Sequence, residues 1–246
     1  SITPYDSGDE LDSGDHAETL NRCLAEFDWD DKSKLQGRLI DGRRHGIALS
    51  CFVEGGGAGP SETARLVLDG DGKVSVFVGS SAIGQGLETV FTQIAADALE
   101  WPMEAIRGVF HGSTAHVSQG FGSFHSRSVV MGGSAILKVA ESLKTEIREA
   151  AAIRWSCTAD EVEIIDGERV TAVGHETLTI AEIAGDGIDV EEMFNNHKHT
   201  WAYGAHAVHV AVDIEIGHVE VIDYVAVEDV GRIINPITLV GQSVGA

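Results

Sequence analysis

Gln85 stands between Gly84 and Gly86, after the β-rich run Val76-Phe77-Val78 and just before Leu87-Glu88-Thr89. That order describes a strand, a tight glycine loop and the first turn of a helix, so free backbone N–H groups point at whatever lies above the loop. A carboxamide offers donor and acceptor together, which suits a polar, anionic, heteroaromatic ligand better than a bare phosphate. The same turn also occurs in folds where it holds nothing. It matches neither common nucleotide fingerprint. Gly79-Ser80-Ser81-Ala82-Ile83-Gly84 is followed by Gln85-Gly86 where a P-loop needs Gly-Lys-Ser/Thr, and Gly-x-Gly-x-x-Gly counted from Gly84 ends on Thr89. The flanking segments read as antiparallel hairpins, which further weakens a dinucleotide fold.

Two other stretches carry comparable groups. Ser123-Phe124-His125-Ser126-Arg127-Ser128 places hydroxyls and a guanidinium at a helix start, the donors a pyrophosphate needs; the alternative is a serine-capped helix with a solvated Arg. Asn235-Pro236 followed by Gly241-Gln242 offers two more amides, or helix capping plus an exposed Gln. His197-Lys198-His199 has metal-like spacing, but no carboxylate or Cys completes a set, and a solvated loop explains it. His206 and His209 fall on opposite faces of a strand. Glu54 and Glu62 flank a glycine loop as acid/base groups or surface residues, while Asp28–Asp31 and Glu191-Glu192 read as solvated surface.

The elements that must position these residues follow from periodicity. Asp15-His16-Ala17-Glu18 has capping-box spacing ahead of Leu20, Cys23, Leu24 and Phe27, predicting a helix over 15–27. Residues 30–45 read as a linker into a strand from Ile47 to Glu54. Ala64–Asp69 and Lys73–Val78 form a hairpin around Gly70-Asp71-Gly72, and Leu87 to Ala98 a helix that Trp101-Pro102 ends. A strand at 106–110, a polar loop at 111–128, a helix through Ile136 and Ile147, a hairpin around Asp166-Gly167 and a capped turn at Thr179–Glu182 come next. A long antiparallel pair turns at Gly217-His218 before Asn235-Pro236 starts a last helix. The result is an α+β fold of mixed, largely antiparallel sheets with packed helices. The order hairpin, polar loop, helix recurs at 64–98 and 203–246 and implies two similar halves.

The 246 residues are 43% hydrophobic, enough for a sizeable core. A formal net charge of −22 repels nucleic acid and anionic lipid, so an anionic ligand must be held by local geometry. No apolar run reaches the ~18 residues of a membrane span and no signal segment opens the chain, which makes cytoplasm the default. Cys23, Cys51 and Cys157 form no Cys-x-x-Cys pair and read as buried thiols, outside any zinc or iron–sulfur site. Ser1 without a preceding Met, and the closing Gly245-Ala246, both read as cuts from something longer.

Set side by side, the three loops resemble the second molybdenum-cofactor-binding domain in the large subunit of the xanthine dehydrogenase/aldehyde oxidase family, in particular its carbon monoxide dehydrogenase-like members and bacterial N-heterocycle dehydrogenases. The resemblance rests on Gly84-Gln85-Gly86-Leu87-Glu88-Thr89 with Gln93 and on Ser126-Arg127-Ser128 before Gly132-Gly133-Ser134-Ala135. It rests also on Tyr203-Gly204-Ala205-His206 leading to Asp229-Val230-Gly231-Arg232-Ile233-Ile234-Asn235-Pro236 and Gly241-Gln242. It implies a molybdopterin cytosine dinucleotide carrying molybdenum, a small-molecule substrate hydroxylated at carbon with oxygen from water, and electrons leaving through iron–sulfur and flavin (FAD) partners. By motif, Gly84, Gln85 and Gly86 hold the pterin–dithiolene end, Ser126, Arg127 and Ser128 the pyrophosphate or cytidine end, and Asn235 and Gln242 complete the cradle. No metal ligand and no catalytic residue is assigned within the chain.

On this resemblance, residues 1–45 are a helix and linker from a preceding domain, with its tail in Ile2–Asp9, and 46–246 are a cofactor-binding domain cut at its C-terminal end. The family's catalytic glutamate lies in a Gly-Val-Gly-Glu motif expected after Ala246, so this polypeptide alone is expected to turn over no substrate. Two rivals remain: a non-catalytic interaction or assembly module with the same fold, and a phosphate- or nucleotide-binding enzyme using the Gly84–Gly86 loop.

Overall fold

The structure, a computed structural model, describes residues 3–4, 10–11, 13–197 and 199–245. Most of Ile2–Asp9, together with Lys198 and Ala246, lies outside the described residues. In chain order, the two short strands β1 (Thr3–Pro4) and β2 (Glu10–Leu11) precede α1 (His16–Phe27) and α2 (Trp29–Lys32). β3 (Leu39–Ile40), β4 (Arg43–Gly56), β5 (Ser61–Leu68) and β6 (Val74–Val78) lead to α3 (Leu87–Leu99) and β7 (Ile106–Phe110). A π-helical turn (Ser128–Gly133) opens into α4 (Ser134–Trp155). β8 (Val162–Ile165), β9 (Arg169–Ala172), β10 (Leu178–Thr179), α5 (Ile180–Ala184) and β11 (Ile188–Asn195) follow. β12 (Thr200–Asp213), β13 (Val219–Asp229) and α6 (Pro236–Gly245) complete the α+β fold.

Backbone contacts divide the chain into two compact units, one of residues 1–55 with 200–233 and one of 56–199 with 234–246. β4, Arg43–Gly56, runs across position 45/46 and pairs with β12.

In the first unit the sheet order is β13-β12-β4-β3, and α1 packs on β12 and β13. Asp15 accepts from the Glu18 amide at 2.9 Å and fixes the start of α1. Cys23 and Phe27, four apart and fully buried, rest on Ala205 and Ala207, whose small side chains let the helix approach. Burial pushes the Cys23 thiol up. Cys51, expected to be buried, is exposed. The segment expected to be a linker carries α2 and the β3–β4 hairpin, whose open end is joined by the His45 amide donating to the Arg38 carbonyl at 2.9 Å and the Gly37 amide donating to the His45 carbonyl at 2.8 Å.

In the second unit the sheet order is β11-β5-β6-β7. Ala64, Leu66 and Leu68 alternate into the core from β5 and meet Val74, Val76 and Val78 of β6. Phe91, Ile94 and Ala95 of α3 and Ile136, Val139, Leu143 and Ile147 of α4 cover them, as helical spacing predicts. β5 and β6 are antiparallel, whereas β6 and β7 are parallel, with the glycine loop and α3 between them. The glycine loop thus sits in a β–α–β crossover, not between hairpins as expected, and leaves the carboxyl end of a sheet strand. β11 was not expected; its Glu191 is exposed, as expected, and accepts from the Ser118 amide, while the half-buried Glu192 accepts from Lys138 and Ser142. β5–β6 and β12–β13 share the order hairpin, loop, helix, but β6 is interior to its sheet while β13 stands at an edge. Among the described residues no helix is long and apolar enough to cross a membrane.

Candidate functional site

The Gly79–Gly86 loop, the Ser123–Ser128 loop and the Asn235-Pro236 helix start belong to the second unit, while the part of the third motif before residue 234 belongs to the first. The first runs from Gly79 to Gly86. Gly84 and Gly86 have φ of +102° and +80°, backbone that L side chains rarely adopt. Gln85 folds back on its own loop: Oε1 accepts from the Ile83 amide at 2.7 Å and Nε2 donates to the Ser81 carbonyl at 3.3 Å. The carboxamide therefore shapes the loop and stays half-buried. α3 begins at Leu87, after Gly86, without a side-chain cap, and a Cβ at Gly84 would meet nothing within 4 Å among the described residues, so the loop is open at Gly84. At the helix start the Glu88 carboxyl is held below its usual range by its own backbone amide and by His111, whose Nε2 lies 3.2 Å away.

The second loop is bonded to the first. Ser123 Oγ accepts from the Ser81 amide at 3.1 Å and donates to the Ser81 carbonyl at 2.6 Å, and Ser128 Oγ donates to Ser123 Oγ at 2.9 Å. A Cβ on Gly120 would lie 2.5 Å from the Cα of Gly79, so both positions need glycine for the loops to touch. His125 and Ser126 both have positive φ, +49° and +46°, a strained pair of residues separated from the π-helical turn by Arg127 alone. Strain and π geometry at a helix entrance accompany function more often than plain turns do. Ser126 is exposed.

Arg127 is not solvated. Its side chain is fully buried and donates to the carbonyls of Ala58, Gly122 and Ser61 at 2.8–2.9 Å and to Glu62. Four of its five N–H donors are thus engaged inside the protein. Phe121 and Phe124 place their rings 5.4 Å from the guanidinium carbon. Glu62, open in sequence between an acid/base role and the surface, is equally buried.

The third loop joins through α6. Asn235 Oδ1 accepts from the amides of Ile237 and Thr238 at 3.0 Å, while its Nδ2 donates to Gln93 on α3 at 2.9 Å. Thr238 sits over the first loop, where a Cβ on Gly86 would come within 2.7 Å of its Cγ2. Gln242, one turn beyond Thr238, shares that helix face and is exposed. The structure therefore joins the Gly84–Gly86, Ser126–Ser128 and Asn235 segments through direct contacts, with Gln242 alongside. Sequence alone missed Thr238, the Gly79–Gly120 approach and the burial of Glu62; a glycine directly after a strand was the available signal for the second.

Among the described residues no cluster of three or more His, Cys, Asp or Glu could hold a metal ion. The site's chemistry is hydrogen bonding from amides, hydroxyls and backbone N–H groups.

A γ subunit of the 6-hydroxypseudooxynicotine dehydrogenase complex from Paenarthrobacter nicotinovorans is 31% identical over 253 residues, covering 96% of this chain and 31% of that protein. The carbon monoxide dehydrogenase large chain of Hydrogenophaga pseudoflava is 27% identical over 268 residues, covering 97% and 33%. Quinoline 2-oxidoreductase from Pseudomonas putida 86 superposes with a TM-score of 0.80 at 25% identity, covering 98% of this chain and 34% of that one. The chain thus spans about a third of the length of these relatives. Residues 22–246 match the molybdopterin cofactor-binding domain, and the chain belongs to that family.

Proposed function

We propose that the three joined loops form one wall of a molybdopterin cytosine dinucleotide site in the large subunit of a molybdenum hydroxylase. Bound there, the cofactor supplies two-electron oxidation of a small-molecule substrate, with water as the oxygen source and iron–sulfur and flavin (FAD) partners as electron acceptors. This chain's residues bind and orient it. The observation that carries the reading is the bonding of Ser81 to Ser123 together with the seating of Thr238 on Gly86, which gathers three polar turns on one side of the unit.

The donor set fits such a group. An uncapped helix start, an open Gly84 and the Gln85-braced turn present N–H groups to a heteroaromatic edge, and the exposed Ser126 hydroxyl suits phosphate oxygens, while the Ser128 hydroxyl, its proton given to Ser123 Oγ, offers an acceptor to the ligand's N–H or O–H groups. Gly84, Gln85, Gly86, Ser126, Ser128, Asn235 and Gln242 are the proposed contacts. Arg127, its donors turned inward, serves by holding the Ser126–Ser128 backbone in place. The protein works by orientation and hydrogen bonding, the division of labour common to cofactor enzymes.

Metal and pterin analysis of the complete subunit, purified with its partners, tests this. Pterin and molybdenum in equal amounts support the reading; a folded complex without pterin, in a host that makes the cofactor, leaves the assembly-module alternative. Nucleotide binding abolished by Gln85→Ala, in protein lacking pterin, would favour the nucleotide enzyme.

A further inference from the structure

Glu62 and Arg127 are 65 positions apart, both fully buried, and ion-paired. Removing two charges from water is costly, and a buried pair is weak evidence for stability on its own. Its placement indicates another role. Arg127 fastens the loop 57–61 to the second loop through Ala58, Ser61 and Gly122. Glu62 reaches the first loop: a Cβ on Gly79 would strike its Oε1, an oxygen that has no hydrogen-bond partner among the described residues. One carboxylate therefore touches the entry to the Gly84–Gly86 turn with one oxygen and holds the Ser126–Ser128 turn with the other.

We propose that Glu62 and Arg127 are a positioning pair that sets the spacing between these two turns, and so the fit of the two ends of an elongated ligand. This rests on the proposed function in taking both turns to hold one ligand. A purely stabilising pair would loosen the whole unit when weakened. A positioning pair loosens the two loops and spares remote elements such as the β8–β9 hairpin.

Hydrogen exchange of the cofactor-free complete subunit carrying Glu62→Gln or Arg127→Lys separates these roles. Amides in 57–62, 79–86 and 119–128 should exchange about tenfold faster, with 162–172 unchanged. Unchanged loops, or equal acceleration in 162–172, overturns the proposal. Pterin content at equal folded fraction should fall by a similar factor in both variants, and full retention in both also overturns it. If neither variant folds, exchange of the unmutated protein in rising denaturant decides: the three segments should open together, and independent opening of 119–128 contradicts the pair. A wild-type subunit without pterin would refute the functional reading, while the exchange results still judge the pair.

Discussion

Asn235 and Gln93 meet through one hydrogen bond of 2.9 Å, and the same Asn235 caps α6 with its other side-chain atom. One residue thus starts the last helix and ties it to the helix that follows the glycine loop. Asn235→Asp keeps the cap and loses the donor to Gln93; Asn235→Ala loses both. The alanine variant should be destabilised by about 1–2 kcal/mol and the aspartate variant by less, read from urea midpoints. Equal effects would mean that the cap carries nothing.

Gly86 answers to two constraints, a φ of +80° and the Thr238 methyl within 2.7 Å of any Cβ. Gly86→Ala should cost about 1–3 kcal/mol. Adding Thr238→Ser, which keeps the hydroxyl bond to the Asn235 carbonyl, should recover the steric part and leave the backbone part. Strict additivity in this double-mutant cycle would refute the contact.

His209 gives the first unit a pH dependence. Its Nε2 lies 2.7 Å from His45 Nδ1, and burial, His45 and Lys32 lower its proton affinity, with Asp223 opposing. The unfolded imidazole therefore takes a proton at higher pH than the folded one. Stability is fully present above the ordinary value of 6.5 and falls as pH drops from there towards the folded value. Protonation of other groups also reduces the net negative charge and its repulsion, so the difference between wild type and His209→Leu isolates this residue. That difference should shrink as pH falls from 8 to 5; growth would contradict the assignment.

Gln85 holds its loop from within. Gln85→Ala should leave the urea midpoint nearly unchanged, because the loop is open at Gly84, yet speed amide exchange at 81–86 about tenfold. Gln85→Glu keeps the acceptor for Ile83 and should be milder. A global loss of stability would show that Gln85 packs the core.

Local pattern carried most of the fold. The capping signal at Asp15, the alternation of Ala64, Leu66 and Leu68, and the helical spacing of Leu87 to Ala98 all report burial by one neighbouring layer, and each formed as expected. What the pattern hid depends on contacts distant in sequence. β11 is rich in acidic residues because its charges meet Lys138, Ser142, Arg65 and the Ser118 amide from elsewhere. Arg127 looked like a free cation because nothing near it in sequence shows that Glu62 lies against it. At the site, glycine and serine types were legible and their mutual bonding was not, since Ser81 and Ser123 are joined only by the crossover that brings the second loop back over the first.

The most direct measurement compares hydrogen exchange in the cofactor-loaded and cofactor-free complete subunit. Protection should rise together in 83–89, 123–128 and 235–242, the three segments joined around Ser81, Ser123, Gly86 and Thr238. Protection confined to one of them, or found only outside all three, would contradict a single ligand held by this wall.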